Sequence, residues 1–134
     1  MPDVAVASGS QLAADAGARV AREGGNAVDA ALAASLVSCV VEPGVCSLGA
    51  SGFLTIGPPG EAPVMIDGAA VIPGTGLPKS RFGQASRKVR LEYGGGMHTT
   101  VGHGSVAVPG NLAAYALASE RYGNVPWRVL VEPA

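Results

Sequence analysis

The sequence predicts a mixed α+β chain, and three observations carry that reading. Gly24-Gly25-Asn26-Ala27-Val28-Asp29-Ala30-Ala31 places a helix stop, a turn and a helix start within eight residues. From about Ala30 to Val41 no charge interrupts the run, so the second helix of this corner belongs in an interior. Phe53-Leu54-Thr55-Ile56 and Val64-Met65-Ile66 are short apolar runs separated by Gly57-Pro58-Pro59-Gly60, the pattern of two strands joined by a turn.

Along the chain, Val4 to Ala7 is a short run of β-branched residues and alanine that predicts a strand. Ser8-Gly9-Ser10-Gln11 has the Ser-x-x-Gln spacing of a capping box, so a helix should follow. In it Leu12, Ala16 and Val20 fall on one face, while Asp15, Arg19 and Glu23 line another as alternating charges, the pattern of an amphipathic helix covering something apolar. Gly24 and Gly25 can take the left-handed conformation that ends a helix. Asn26 can cap the next, and Asp29 stands three residues later, where its carboxylate can return a bond to the cap. The second helix, Ala27 to about Val40, has small or apolar residues all round, and its alanines let neighbouring backbones approach closely. Pro43 stops it.

Beyond Asp67 the signal weakens. Residues 73–104 are rich in glycine, proline, serine and basic side chains, with Lys79, Arg81, Arg87, Lys88 and Arg90 in twelve positions. A solvated loop and an anion-binding surface both fit this composition; no aromatic interleaving or periodic face supports the second, and a loop is the expectation. Asn111 can cap a helix from Leu112 to Tyr122, Gly123 can end it, and Pro126-Trp127-Arg128-Val129-Leu130 begins another element. No repeat and no second domain is visible, so residues 1–134 read as one domain or a piece of one.

Charged residues make up 14% of the chain against about 25% in an average soluble domain, and glycine, at 20 of 134, has roughly twice its usual share. So little polar surface implies apolar faces meant to be covered by more protein, or a small domain with a large apolar interface. A net charge of −1 leaves no electrostatic footprint for nucleic acid or an anionic membrane. Met1-Pro2-Asp3-Val4 has no positive signal-peptide start, and the run from Ala30 to Val41 is short of the roughly 20 residues of a membrane span; a soluble, cytoplasmic protein is expected. Cys39 and Cys46, seven apart, match neither a zinc spacing nor a redox pair and read as buried, inert thiols.

A series of short motifs adds to this reading. Val6-Ala7-Ser8, the Gly24 to Ala31 corner, Val41-Glu42-Pro43, Leu48 to Leu54, Ile66-Asp67-Gly68, Ala107-Val108-Pro109-Gly110, Glu120-Arg121-Tyr122-Gly123, Pro126-Trp127 and Glu132-Pro133-Ala134 follow one another along nearly the whole chain. In order and spacing they resemble the start of the large subunit of the γ-glutamyltranspeptidase family of N-terminal-nucleophile hydrolases. The resemblance implies an α+β fold that is part of an αββα sandwich. It also implies partners: the remainder of the large subunit, a threonine-bearing small subunit and a small-molecule amide substrate such as glutathione. No cofactor and no metal is implied.

Enzymes of that family attack an amide carbonyl with the hydroxyl of an N-terminal threonine, while its α-amine, with a pKa near 8, serves as base. In the family that threonine opens the small subunit, so the resemblance implies no catalytic residue within these 134. Thr99-Thr100 is a tempting substitute, but it precedes the Ala107 to Gly110 block and reads as a pair of loop threonines. His98 and His103 are five apart, which misses the helical spacing of a paired metal site. Gly49-Ala50-Ser51-Gly52 leads into a strand, whereas phosphate loops leave one and open a helix, so its glycines read as sites of close backbone packing.

The main departure from the family lies at Asp67-Gly68-Ala69-Ala70. The family usually carries an arginine two residues after this aspartate, whose guanidinium fork holds the α-carboxylate of a γ-glutamyl substrate. Ala69 occupies that position here, and Asp67 either touches substrate or satisfies the strand end. The implied function is part of an enzyme that cleaves or transfers a γ-glutamyl or related acyl group from an amide; the alternative is a non-catalytic or truncated homologue acting as a structural or binding piece.

Overall fold

Two helices meet at the glycine corner, as its residues dictate. α1 (Gln11–Arg22) ends at Glu23, Gly24 turns with φ +103, and α2 (Ala27–Val41) starts beyond Asn26. The computed structural model describes residues 4–82 and 84–134, and by internal packing it divides into two compact units. The first comprises residues up to Ala69 together with Pro109–Ala134, and the second is Ala70–Val108.

In the first unit the corner is closed by a reciprocal cap. Asn26 Oδ1 accepts the N–H groups of Val28 and Asp29 at 2.8 and 3.1 Å, and Asp29 Oδ2 accepts the Asn26 N–H at 2.9 Å. The same side chains reach across the unit to the end of α3 (Asn111–Tyr122): Asn26 Nδ2 donates to the Tyr122 carbonyl at 2.6 Å, and Asp29 Oδ2 also accepts the Asn124 N–H at 2.9 Å. Asp29 is 0% exposed. Two backbone donors on Oδ2 and the positive end of α2 make the buried carboxylate tolerable, while its Oδ1 is buried without a hydrogen-bond partner among the described residues.

α2 lies between α1 on one side and α3 with α4 (Trp127–Val131) on the other. Against α1 the approach is close: a Cβ on Gly17 would sit 2.6 Å from the Ala30 carbonyl oxygen, so glycine there and Ala13, Ala16 and Ala34 around it set the helix separation. Val20 at the end of α1 joins Leu32, Leu36, Ala114, Ala118 and Leu130 in the main core. The antiparallel pair β1 (Gly52–Ile56) and β2 (Val64–Gly68) adds Ile66, with Leu54 and Ile56 packed against it, because strand alternation turns these residues inward. The opposite face of the pair carries Phe53 and Met65, 63% and 65% exposed.

The second unit is a hairpin, β3 (Ser86–Leu91) antiparallel to β4 (Met97–Gly102), with short 3₁₀ turns at Lys79–Arg81 and His103–Ser105. A pair of backbone bonds between Val71 and Val108, 3.0 and 2.8 Å long, closes its base. The expected solvated loop over residues 73–104 is thus corrected in part. Gly94, Gly95 and Gly96 all take positive φ and let the chain reverse between two polar strands.

Other local expectations change for physical reasons. Val4–Ala7 joins no strand; Val6 packs against the α1–α2 contact instead. The Ser8 capping box does not form: α1 begins at Gln11 after Ser10, with no side-chain cap bond, and the Ser8 hydroxyl lies 3.2 Å from that of Ser38. Leu12 is 62% exposed, and Ala13 and Gly17 join Ala16 and Val20 in the buried stripe. Asn111 is the first residue of α3 rather than its cap. Gly123 ends α3 with φ −81, so its value there is space: a Cβ would meet the Ser119 carbonyl oxygen at 2.6 Å and Asp29 Oδ1 at 2.7 Å.

Two substitutions separate the buried cap from a surface carboxylate. Asp29→Ala removes the carboxylate acceptor of two part-buried N–H groups and empties a fully buried site, and should cost more than about 2 kcal/mol. Asp15→Ala removes only an exposed bond to Gln11 and should stay within about 0.5 kcal/mol. Urea midpoints with unchanged slopes check the pair.

Candidate functional site

The end of β2, where the sequence departs from the resembled family, is built on glycine. A Cβ on Gly68 would lie 2.7 Å from the Gly52 carbonyl oxygen and 2.8 Å from the Ala114 Cβ. One on Gly110, just before α3, would lie 2.6 and 2.7 Å from the carbonyl oxygens of Gly68 and Ala69. Three backbone segments therefore converge where any side chain would push them apart. Asn111, 3% exposed, fastens the junction: its side chain donates to the Ser47 carbonyl at 3.4 Å and its N–H to the Ala50 carbonyl at 3.3 Å.

The Gly110 backbone thereby approaches the Ala69 carbonyl closely. Ala69 is half-buried and brings no charge to the junction. Asp67 stands on the outward face of β2 opposite Phe53, and its Oδ1 accepts the Ala69 N–H at 2.8 Å. That bond is an Asx turn, so this carboxylate oxygen is engaged in ending the strand.

The other candidates disperse. Thr99 and Thr100 sit within β4, opposite Val89 and Lys88, and are ladder residues rather than loop threonines. His98 pairs opposite Arg90, while His103 opens a 3₁₀ turn. Lys88 and Arg90 share one face of the hairpin with Thr100 and His98, whereas Arg87 alternates to the other, so the basic run does not form one patch. Arg90 lies 3.6 Å from Glu92. Among the described residues no group of three or more His, Cys, Asp or Glu converges as a metal site, and no helix is long and apolar enough to cross a membrane.

One feature of the first unit was not anticipated from the sequence. A cavity of about 350 Å³ opens between the Ala5–Ser8 segment and α2, lined by Ser8, Ser35, Ser38, Cys39, Cys46 and Tyr115 among small apolar residues. The thiols are half-buried and free rather than fully interior. Burial, and then the neighbouring Cys46, pushes the Cys39 pKa up; burial likewise raises that of the Tyr115 phenol. The available sequence signal was Pro43-Gly44, which turns the chain back after α2, although spacing alone gives no hint of the cavity.

Comparison with known proteins accords with this architecture. The family model described as Gamma-glutamyltranspeptidase matches residues 13–134. Scoloptoxin SSD14 of Scolopendra dehaani is 35% identical over 131 residues, which cover 97% of this chain and 21% of that protein. Glutathione hydrolase proenzyme 1 of Schizosaccharomyces pombe is 32% identical over 128 residues, 96% of this chain and 19% of its own. The crystal structure of Helicobacter pylori gamma-glutamyltranspeptidase superposes with a TM-score of 0.73 at 29% identity, covering 98% of this chain and 36% of that one. The chain spans about a fifth of the length of the curated relatives it matches.

The raised pKa values have a consequence for stability. The fold favours the neutral thiol of Cys39 and the neutral phenol of Tyr115, so the stability linked to them is complete below their unfolded pKa values and is lost as pH rises through the folded ones. Urea midpoints should fall as pH rises above about 8.5, the unfolded thiol value, and should fall further above about 10, the unfolded phenol value. Tyr115→Phe should flatten that fall, and an equal fall in this variant would contradict the assignment.

Proposed function

Because the chain belongs to the gamma-glutamyltranspeptidase family, we propose that it forms the first part of the large subunit of an enzyme that cleaves or transfers an acyl group from an amide. The family match along residues 13–134 carries the proposal. The nucleophile is the hydroxyl of an N-terminal threonine on a segment outside these 134 residues, and its α-amine takes the proton as the hydroxyl attacks the carbonyl. This chain supplies a scaffold: the α1–α2 corner, the β1–β2 pair, and a glycine junction that fixes residue 69. The outward face of β1 and β2, with Phe53 and Met65 exposed, supports a role for the remainder of the protein as its cover.

Substrate preference follows from position 69. In the resembled family an arginine there grips the substrate α-carboxylate through a bidentate, charged pair worth about 1.5 to 3 kcal/mol. Alanine makes no such contact. The acyl group preferred by this enzyme is therefore one that does not depend on an α-carboxylate, and γ-glutamyl transfer from compounds such as glutathione is weak. A non-catalytic homologue is the competing outcome.

Two measurements test the proposal. The purified 134-residue chain should not turn over γ-glutamyl-p-nitroanilide; turnover would place the nucleophile within it. In the full-length protein Ala69→Arg should raise activity on γ-glutamyl amides roughly ten- to hundredfold relative to amides lacking the α-carboxylate. Robust γ-glutamyl transfer by the unmodified full-length protein would contradict the substrate assignment, and inactivity on every amide would favour the non-catalytic homologue.

A further inference from the structure

We propose that Cys39 and Cys46 form an oxidisable thiol pair that closes to an intrachain disulfide, clasping the turn after α2 onto the helix. The turn creates the juxtaposition. The Glu42 carbonyl accepts the N–H groups of both Val45 and Cys46, at 3.1 and 3.3 Å, and Gly44 takes φ +94, which lets the chain reverse immediately after Val41. Pro43 and Cys46 make an isolated bridge across this reversal. Cys46 consequently returns beside the last turns of α2, where Cys39 lies, and the two side chains line the same cavity with Ser38 and Tyr115. Both are free and half-buried, exposed enough to meet a small reagent, and Cys46 is close enough to act on the Cys39 thiol.

The chemistry needs an oxidant, and a low-molecular-weight disulfide such as oxidised glutathione suffices. The Cys46 thiolate attacks one of its sulfurs and expels a glutathione thiolate, leaving a mixed disulfide on Cys46. Cys39, whose thiolate burial disfavours, then loses its proton and attacks the Cys46 sulfur, expelling the second glutathione. Two protein thiols lose two protons and two electrons, and oxidised glutathione becomes two molecules of the thiol. Oxidation pins the Glu42–Val45 turn against α2 at one wall of the cavity. This inference is independent of the proposed acyl-transfer activity.

The purified chain, folded as judged by circular dichroism, is equilibrated in reduced and oxidised glutathione, quenched with acid, and read by intact mass after maleimide labelling. The wild type should lose two hydrogens and both maleimide sites. Cys39→Ser and Cys46→Ser should instead carry a single glutathione adduct. The equilibrium constant for the intrachain bond should be roughly tenfold or more higher in the folded chain than in urea, equivalent to about 30 mV in reduction potential. Equal constants in the folded chain and in urea would overturn the proposal. So would a wild type carrying two glutathione adducts, or one whose two thiols both remain free where the single-cysteine variants are modified.

Discussion

A buried carboxylate holds the first unit together. Asp29 binds the N–H groups of Asn26 and Asn124, and Asn26 binds the end of α3 in return, so one capping box serves two corners that are 95 residues apart in sequence. An ordinary capping box satisfies only its own helix. Here the same atoms fix where α3 ends, which sets how α4 follows and how Leu130 enters the core beside Leu32 and Leu36. Glycine at 123 is required because Asp29 already fills the space a Cβ would need.

From that anchored frame the structure reaches its site through close backbone contact. α3 starts against the ends of β1 and β2, where Gly52, Gly68 and Gly110 allow approaches that no side chain would permit. The result is a residue 69 positioned by close main-chain packing and by the Asp67 carboxylate on its N–H. Position and chemistry are separable here: the scaffold fixes where the side chain of residue 69 projects, and alanine leaves that place uncharged. This separation is why a family fold supports an expectation about location while the proposed acyl preference rests on one residue.

Legibility in the sequence tracked how local each determinant is. The Gly24–Asp29 corner, the α2 run and the β1–β2 pair were readable because cap, period and turn lie within a few residues of one another. That Asn26 and Asp29 also hold Tyr122 and Asn124 was not readable, since the pairing exists only after folding. The β3–β4 hairpin was missed because Arg87, Lys88 and Arg90 break the apolar alternation that signals a strand. Its stability in this form comes from the Gly94–Gly96 reversal and the Val71–Val108 closure. Val4–Ala7 had strand composition but pairs with no strand among the described residues. At the candidate site, Asp67 and Ala69 were found through family resemblance, whereas the glycine junction beneath them and the cavity beside Cys39 and Cys46 needed the fold.

Native-state hydrogen exchange of the Asn26 and Asn124 amides tests the central role of Asp29 most directly. Both donate to its Oδ2, so both should exchange only through global unfolding, with the same opening free energy as the interior of α2. Rapid exchange of these two amides, at the rate of fraying termini and with α2 still protected, would contradict the account.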